Sequence, residues 1–198
     1  MKEILTGIYH WTTVHPKIKI EVSSYYLADE RVLIDPLIPA AGLASLPGKP
    51  EHVFLTNRHH YRDSAEFRRH FGCTVWCDES GLHEFTGGEE IEPFRHGDVL
   101  PGKITALEVG VICPDDTALL IPREDGVLAV ADGVIRMNDG PLTFVPDQFM
   151  GDDPEGVKNG LKTSYRRIVD AYDFEHILLA HGWPWIGGGK EALGTFAT

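Results

Sequence analysis

The residues best suited to chemistry lie in three places. The densest is Thr56-Asn57-Arg58-His59-His60-Tyr61-Arg62-Asp63, where two histidines and two arginines stand within one short stretch. The others are Asp132 and His181. Two imidazoles and a carboxylate form a donor set for Zn²⁺, Mn²⁺ or Fe²⁺. His59 or His60 would supply it with Asp132 and His181, and Asp63 and Cys113 are further donors. A second chemistry is open to the same residues. Arg58 and Arg62, with His59, suit a carboxylate or phosphate. In a metal-free protein Arg62 would also offset the charge of Asp132 or Asp63.

Each place follows a short apolar run. Val53-Phe54-Leu55 leads to Thr56, Val127 to Ala131 leads to Asp132, and Ile177 to Ala180 leads to His181. Runs of this length between turn residues read as buried strands. In layered α/β folds the strand ends of a sheet meet at one edge, where ligands bind. The three groups are therefore expected in one site.

Other elements frame these strands. Residues 1–35 read as a β-meander, with an alternating strand over Ile18 to Val22 and a hairpin joining Ser24–Leu27 to Arg31–Ile34. Asp35-Pro36 ends the second strand of that hairpin. Ser64 to Phe71 reads as a helix capped by Asp63 or Ser64 and closed by Gly72. Asp153-Pro154-Glu155 opens a longer helix, whose stripe Leu161, Tyr165, Ile168 and Tyr172 faces a core. Gly189 to Phe196 reads as a closing helix. Helices after strands in both halves predict an α/β layer sandwich.

Composition narrows the function. The chain has 198 residues, 42% of them hydrophobic, enough for one domain over residues 1–198. A net charge of −12 argues against nucleic acid and anionic membrane surfaces as partners. No apolar run reaches the roughly 18 residues of a membrane span. Met1 to Gly7 is too polar for a signal peptide, and Cys73, Cys77 and Cys113 show no tight metal pairing, so a reduced, cytoplasmic location is expected. The expected partner is a small-molecule substrate or anion, and a homodimer is compatible with the chain. His83 and His96 read as surface residues. Trp183-Pro184-Trp185 reads as packing. Gly187-Gly188-Gly189-Lys190 lacks the spacing of a phosphate loop and reads as the lead into the last helix.

The chain resembles the metallo-β-lactamase fold superfamily, especially its glyoxalase II-like hydrolase branch. Ser24 to Leu27 with Val32-Leu33-Ile34-Asp35-Pro36 is similar to its opening hairpin. Phe71-Gly72-Cys73-Thr74-Val75-Trp76, His96-Gly97-Asp98-Val99-Leu100, Leu128 to Asp132 and Leu178-Leu179-Ala180-His181-Gly182 resemble later motifs in the same order. The resemblance implies a four-layer αββα sandwich. It also implies a metal loop T-H-x-H-x-D-H, aligned with Thr56 to Arg62. There His59 keeps the second histidine, Asn57 replaces the first, Tyr61 replaces the aspartate and Arg62 the last histidine. The mid-chain loop that usually carries a ligand is Gly110 to Asp116, where only Cys113 offers a soft donor. Asp132 matches the bridging carboxylate and His181 a second-site histidine. In the family a loop aspartate orients the attacking water. Tyr61 cannot replace it at neutral pH, because a phenol titrates near 10.

The resemblance thus implies at most one Zn, Mn or Fe ion, held by His59, Asp132 and His181 with His60 or Cys113 as further donors. Tyr61 and Asp63 are the catalytic candidates, and an ester, thioester or phosphodiester is the expected substrate. The alternative is a metal-free scaffold or small-anion binder of the same fold, using Arg58 and Arg62. Whether the protein is an enzyme stays open at this stage.

Overall fold

A computed structural model describes all residues 1–198. The chain first forms a seven-stranded sheet in sequence order: β1 (Lys2–Leu5), β2 (Ile8–Val14), β3 (Glu21–Leu27), β4 (Val32–Ile34), β5 (His52–Phe54), β6 (Thr74–Asp78) and β7 (Ile91–Phe94). It then forms β8 (Val99–Leu100), β9 (Ile104–Glu108), β10 (Thr117–Ile121) and β11 (Val127–Val130). A two-stranded ribbon, β12 (Ile135–Arg136) and β13 (Leu142–Thr143), comes next, followed by β14 (His176–Leu179) and β15 (Trp185–Ile186). The second sheet has the order β15-β14-β11-β10-β9-β8. Helix α1 (Ser64–Phe71) crosses over between the parallel strands β5 and β6. Helix α2 (Pro154–Ala171) does the same between the parallel strands β11 and β14, and α3 (Gly189–Phe196) closes the chain.

Side-chain alternation builds four layers, α/β/β/α. Tyr25, Leu27, Ile34 and Phe54 from the first sheet meet Leu119, Val127, Ala129 and Leu178 from the second in the core between the sheets. Their neighbours Tyr26, Leu33, Val53 and Val75 face outward and pack with Phe67 of α1. Leu128, Val130, Ile177 and Leu179 face the other way and pack with Leu161, Tyr165 and Ile168 of α2 and Leu193 of α3. Strands buried on both faces carry unbroken apolar runs, which is why they were legible in the sequence. No helix is long and apolar enough to cross a membrane.

One expectation needs correction. Ile18 to Ile20 is not strand: a turn closes from His15 to Ile20, and β3 begins at Glu21. No neighbour covers this tip, so Ile18 and Ile20 stay 52% and 49% exposed despite their alternation.

Tyr25 ties the two sheets together. Its buried hydroxyl donates to the Leu179 carbonyl at 2.8 Å and accepts from the Leu179 N–H at 3.0 Å. Tyr25→Phe would orphan that N–H in a dry interior, where an unmet donor costs about 1–3 kcal/mol. Urea denaturation should show a loss of that size with an unchanged m-value. A neutral substitution would contradict this role.

Candidate metal centre

The loop after β5 starts with Asn57, whose Oδ1 accepts from the His59 N–H at 2.9 Å and caps a 3-10 turn over Arg58–Tyr61. The turn is closed by the His60 N–H donating to the Asn57 carbonyl at 3.1 Å. In a 3-10 turn, side chains three apart eclipse. His60 therefore points inward with Asn57, and His59 is left exposed.

His60 is only 5% exposed and held at both nitrogens. Its Nδ1 lies 2.9 Å from Asp35 Oδ2 and 2.9 Å from Thr56 Oγ1. The Thr56 hydroxyl donates to the same Asp35 oxygen at 2.6 Å, and the Thr56 N–H donates to Asp35 Oδ1 at 2.9 Å. With Nδ1 facing this carboxylate, Nε2 is free to face Asp132 Oδ1 at 3.2 Å. His181, from the end of β14, sends its Nε2 to the same oxygen at 2.9 Å. Asp132 Oδ2 accepts from Asn57 Nδ2 at 2.9 Å. His60, Asp132 and His181 thus present one ligand atom each, all within 4.8 Å of one another.

The electrostatics are lopsided. Burial alone would lower the His60 pKa, but the charges of Asp35 and Asp132 outweigh it and raise it to about 9. Burial would raise the Asp132 pKa, yet the His60 charge and the bonds from His181 and His60 hold it well below the usual carboxylate range. Asp35 is likewise held low against its burial, by His60 and then Arg62. Asp116, 0% exposed, is pushed well above the usual range by burial and by the Asp132 charge.

The sequence-derived candidates divide. Asp132 and His181 meet as expected. His60 rather than His59 completes the group, and His59 contacts it only through its backbone, by way of Asn57. Cys113 is buried outside the group, and burial with the Asp116 and Asp115 charges keeps its thiol protonated. Tyr61 packs its ring on Phe85 at 5.6 Å, and burial raises its pKa further, so it has no base function near neutrality. Asp63 Oδ2 accepts from the Ile38 N–H at 2.7 Å, leaving α1 without a side-chain cap. Arg58 is paired with the buried Asp115. Arg62 turns inward through a backbone outlier, φ 44° and ψ −119°, of a kind that costs about 1–3 kcal/mol. Its Nη1 donates to the carbonyls of Ser23 and Asp35, both at 2.6 Å, and its buried Nη2 has no partner. His96 is bonded to Thr117 at 3.0 Å rather than free at the surface. Trp183 is 53% exposed and not packed, whereas Trp185 stacks under Arg136 at 4.3 Å.

Asp35 and Asn57 went unread as site residues. Asp35 had a usable signal: it too follows a buried apolar strand, and its neighbour Pro36 drew the reading toward strand termination. A cleft of about 960 Å³ lies elsewhere, between α1 and the segment before β7, and touches none of the three donors.

No protein-family model matches the sequence. A search of curated proteins finds no match either. Solved structures do match. A metallo-β-lactamase family protein from Thermus thermophilus aligns over 98% of this chain and 79% of its own, with TM-score 0.66 and 18% identity. ETHE1 from Myxococcus xanthus aligns over 89% of this chain and 76% of its own, with TM-score 0.60 and 20% identity. The flavodiiron protein from Giardia intestinalis gives TM-score 0.68 and 17% identity over 99% of this chain, which spans 57% of that protein. The chain has the metallo-β-lactamase fold.

A pH test follows from His60. Its ion pairs stabilise the chelator-treated protein fully below the ordinary pKa of 6.5, and their contribution fades as pH rises through about 9. The melting temperature should therefore fall from pH 6.5 to 9, and His60→Gln should flatten that slope. An identical slope in the variant would contradict the assignment.

Proposed function

We propose that the protein is a one-domain metallohydrolase relative with a single ion held by His60, Asp132 and His181, acting on a small ester, thioester or phosphodiester. The observation that carries the reading is the pinned imidazole. Asp35 and Thr56 fix the Nδ1 side of His60 so that Nε2 faces Asp132 and His181. A carboxylate behind a ligating histidine is the usual support of a metal site. Three protein ligands with an open position suit a catalytic ion. Bound there, an ion such as Zn²⁺, Mn²⁺ or Fe²⁺ would supply Lewis acidity and acidify water.

The protein's own groups have separate tasks. Asn57, standing where the family resemblance places a histidine, donates to Asp132 and fixes the plane of its carboxylate. His181 and Asp132 are 19% and 23% exposed, so a substrate reaches the site from their side, while His60 closes the floor. Arg62 fills the space of a further ligand with a fixed positive charge, which disfavours a second ion on that side.

One observation favours the metal-free alternative. The cations of His60 and Arg62 already balance the carboxylates of Asp35 and Asp132. In that reading the site is a closed charge cluster, and Arg62 Nη2 is the remaining donor for a small anion. Arg58 is spent on Asp115 in either case.

Elemental analysis of protein purified without chelator separates the two. The proposal predicts near-stoichiometric metal that falls to background in Asp132→Ala and His181→Ala but persists in His59→Ala. Background metal in the wild type after incubation with each ion would overturn it. Because the ion must displace the His60 proton, its affinity should rise about tenfold per pH unit up to pH 9. Competition titration with a zinc indicator at three pH values would read this, and a flat profile would contradict it.

A further inference from the structure

Ser23 of β3 holds the chain on both sides of His181. Its N–H donates to the Ala180 carbonyl at 2.9 Å, and its hydroxyl donates to the Gly182 carbonyl at 2.7 Å. Neither bond touches the imidazole; together they set the backbone from which it projects. Ser23 is 0% exposed, so water does not compete for these bonds.

The segment needs such a clasp. β14 ends at Leu179, so His181 stands beyond the last rung of the ladder. Gly182 follows with φ +98°, in a region where glycine is free to turn and other residues are strained. On the other side the Arg136 N–H reaches the His181 carbonyl at a longer 3.2 Å. The orientation of His181 therefore depends on what grips its neighbours.

His10 of β2 fixes the Ser23 hydroxyl. In the β2–β3 ladder His10 pairs with Tyr25, and its ring stacks on the Tyr25 ring at 4.9 Å. His10 Nε2 then lies 2.9 Å from Ser23 Oγ. Burial lowers the His10 pKa to about 4, so near neutrality the ring carries a single N–H. A carbonyl only accepts, so the hydroxyl proton goes to Gly182, and His10 donates its Nε2 proton to the hydroxyl oxygen. The Ser23 carbonyl meanwhile accepts from Arg62 Nη1 at 2.6 Å. One residue thus ties the fixed cation of the site to the segment bearing His181, and its side chain serves that segment.

We propose that Ser23 is a positioning residue for His181, held in its working rotamer by His10, and that the pair tunes ion affinity by setting where His181 Nε2 points. The inference rests on the single-ion reading above. The carboxylate of Asp35 supports His60 through its ring, whereas this support acts through the backbone beside the ligand.

The test titrates chelator-stripped protein with Zn²⁺ against a competing indicator, and with Co²⁺ by its d–d absorption, well below the melting temperature. Ser23→Ala removes the hydroxyl and keeps the backbone bonds to Ala180 and Arg62. It should weaken Zn²⁺ about 10–100-fold, as loss of a supporting group does, and shift the Co²⁺ bands. His10→Phe keeps a ring on Tyr25 but removes the N–H. It should shift the Co²⁺ bands in the same direction with a smaller loss of Zn²⁺ affinity, and it is the second probe if Ser23→Ala lacks a native circular dichroism spectrum. Tyr25→Phe is the control: it breaks the tie at Leu179, outside the clasp, and should lower the melting temperature while keeping the wild-type Zn²⁺ affinity and Co²⁺ bands. Variants at 23 and 10 that match the wild type in affinity and bands would overturn the positioning role and leave the single-ion reading intact. So would an equal loss in Tyr25→Phe, which would mark a general loosening of the fold. A wild type that binds neither ion would overturn both.

Discussion

The Asp132 carboxylate is the contact on which the rest of the site depends. It accepts from His60, His181 and Asn57 and so joins the loop after β5 to the ends of β11 and β14. The two sheets contribute different partners, so the geometry exists only when they are docked. That docking is fixed by apolar packing between the layers and by a few polar ties, including Tyr25 to Leu179 and Ser23 to Gly182. Fold and site are thus one constraint: the core sets the spacing, and the carboxylate uses it.

Charge explains the particular residues found there. Two buried carboxylates, Asp35 and Asp132, need positive partners, and a cation at His60, a guanidinium at Arg62 or a metal ion can serve. Arg62 is a permanent choice, held by two backbone carbonyls and an unusual backbone angle. His60 is an exchangeable one, because its proton can leave when an ion arrives. The same loop therefore combines a fixed charge and a replaceable charge. This is consistent with the proposed single ion on the His60 side.

Most of the architecture was legible because buried strands print themselves as apolar runs and helices as capped stripes. The runs ending at Thr56, Asp132 and His181 come together at one place in the structure. Local phase was not legible. Choosing His60 over His59 requires knowing that Asn57 caps a 3-10 turn, which rotates each successive side chain by about 120°. The inward turn of Arg62 depends on a backbone conformation that sequence patterns do not announce. At the hairpin tip the failure ran the other way: Ile18 to Ile20 alternates like a strand but has nothing to pair with or pack against.

The central claim is that one ion sits among His60, Asp132 and His181. Anomalous diffraction from crystals of protein loaded with one equivalent of zinc, collected on both sides of the absorption edge, tests it most directly. The account predicts one anomalous peak within bonding distance of His60 Nε2, Asp132 and His181 Nε2, with His59 outside. A peak at His59, or no peak while His60 stays bonded to both Asp35 and Asp132, would contradict it.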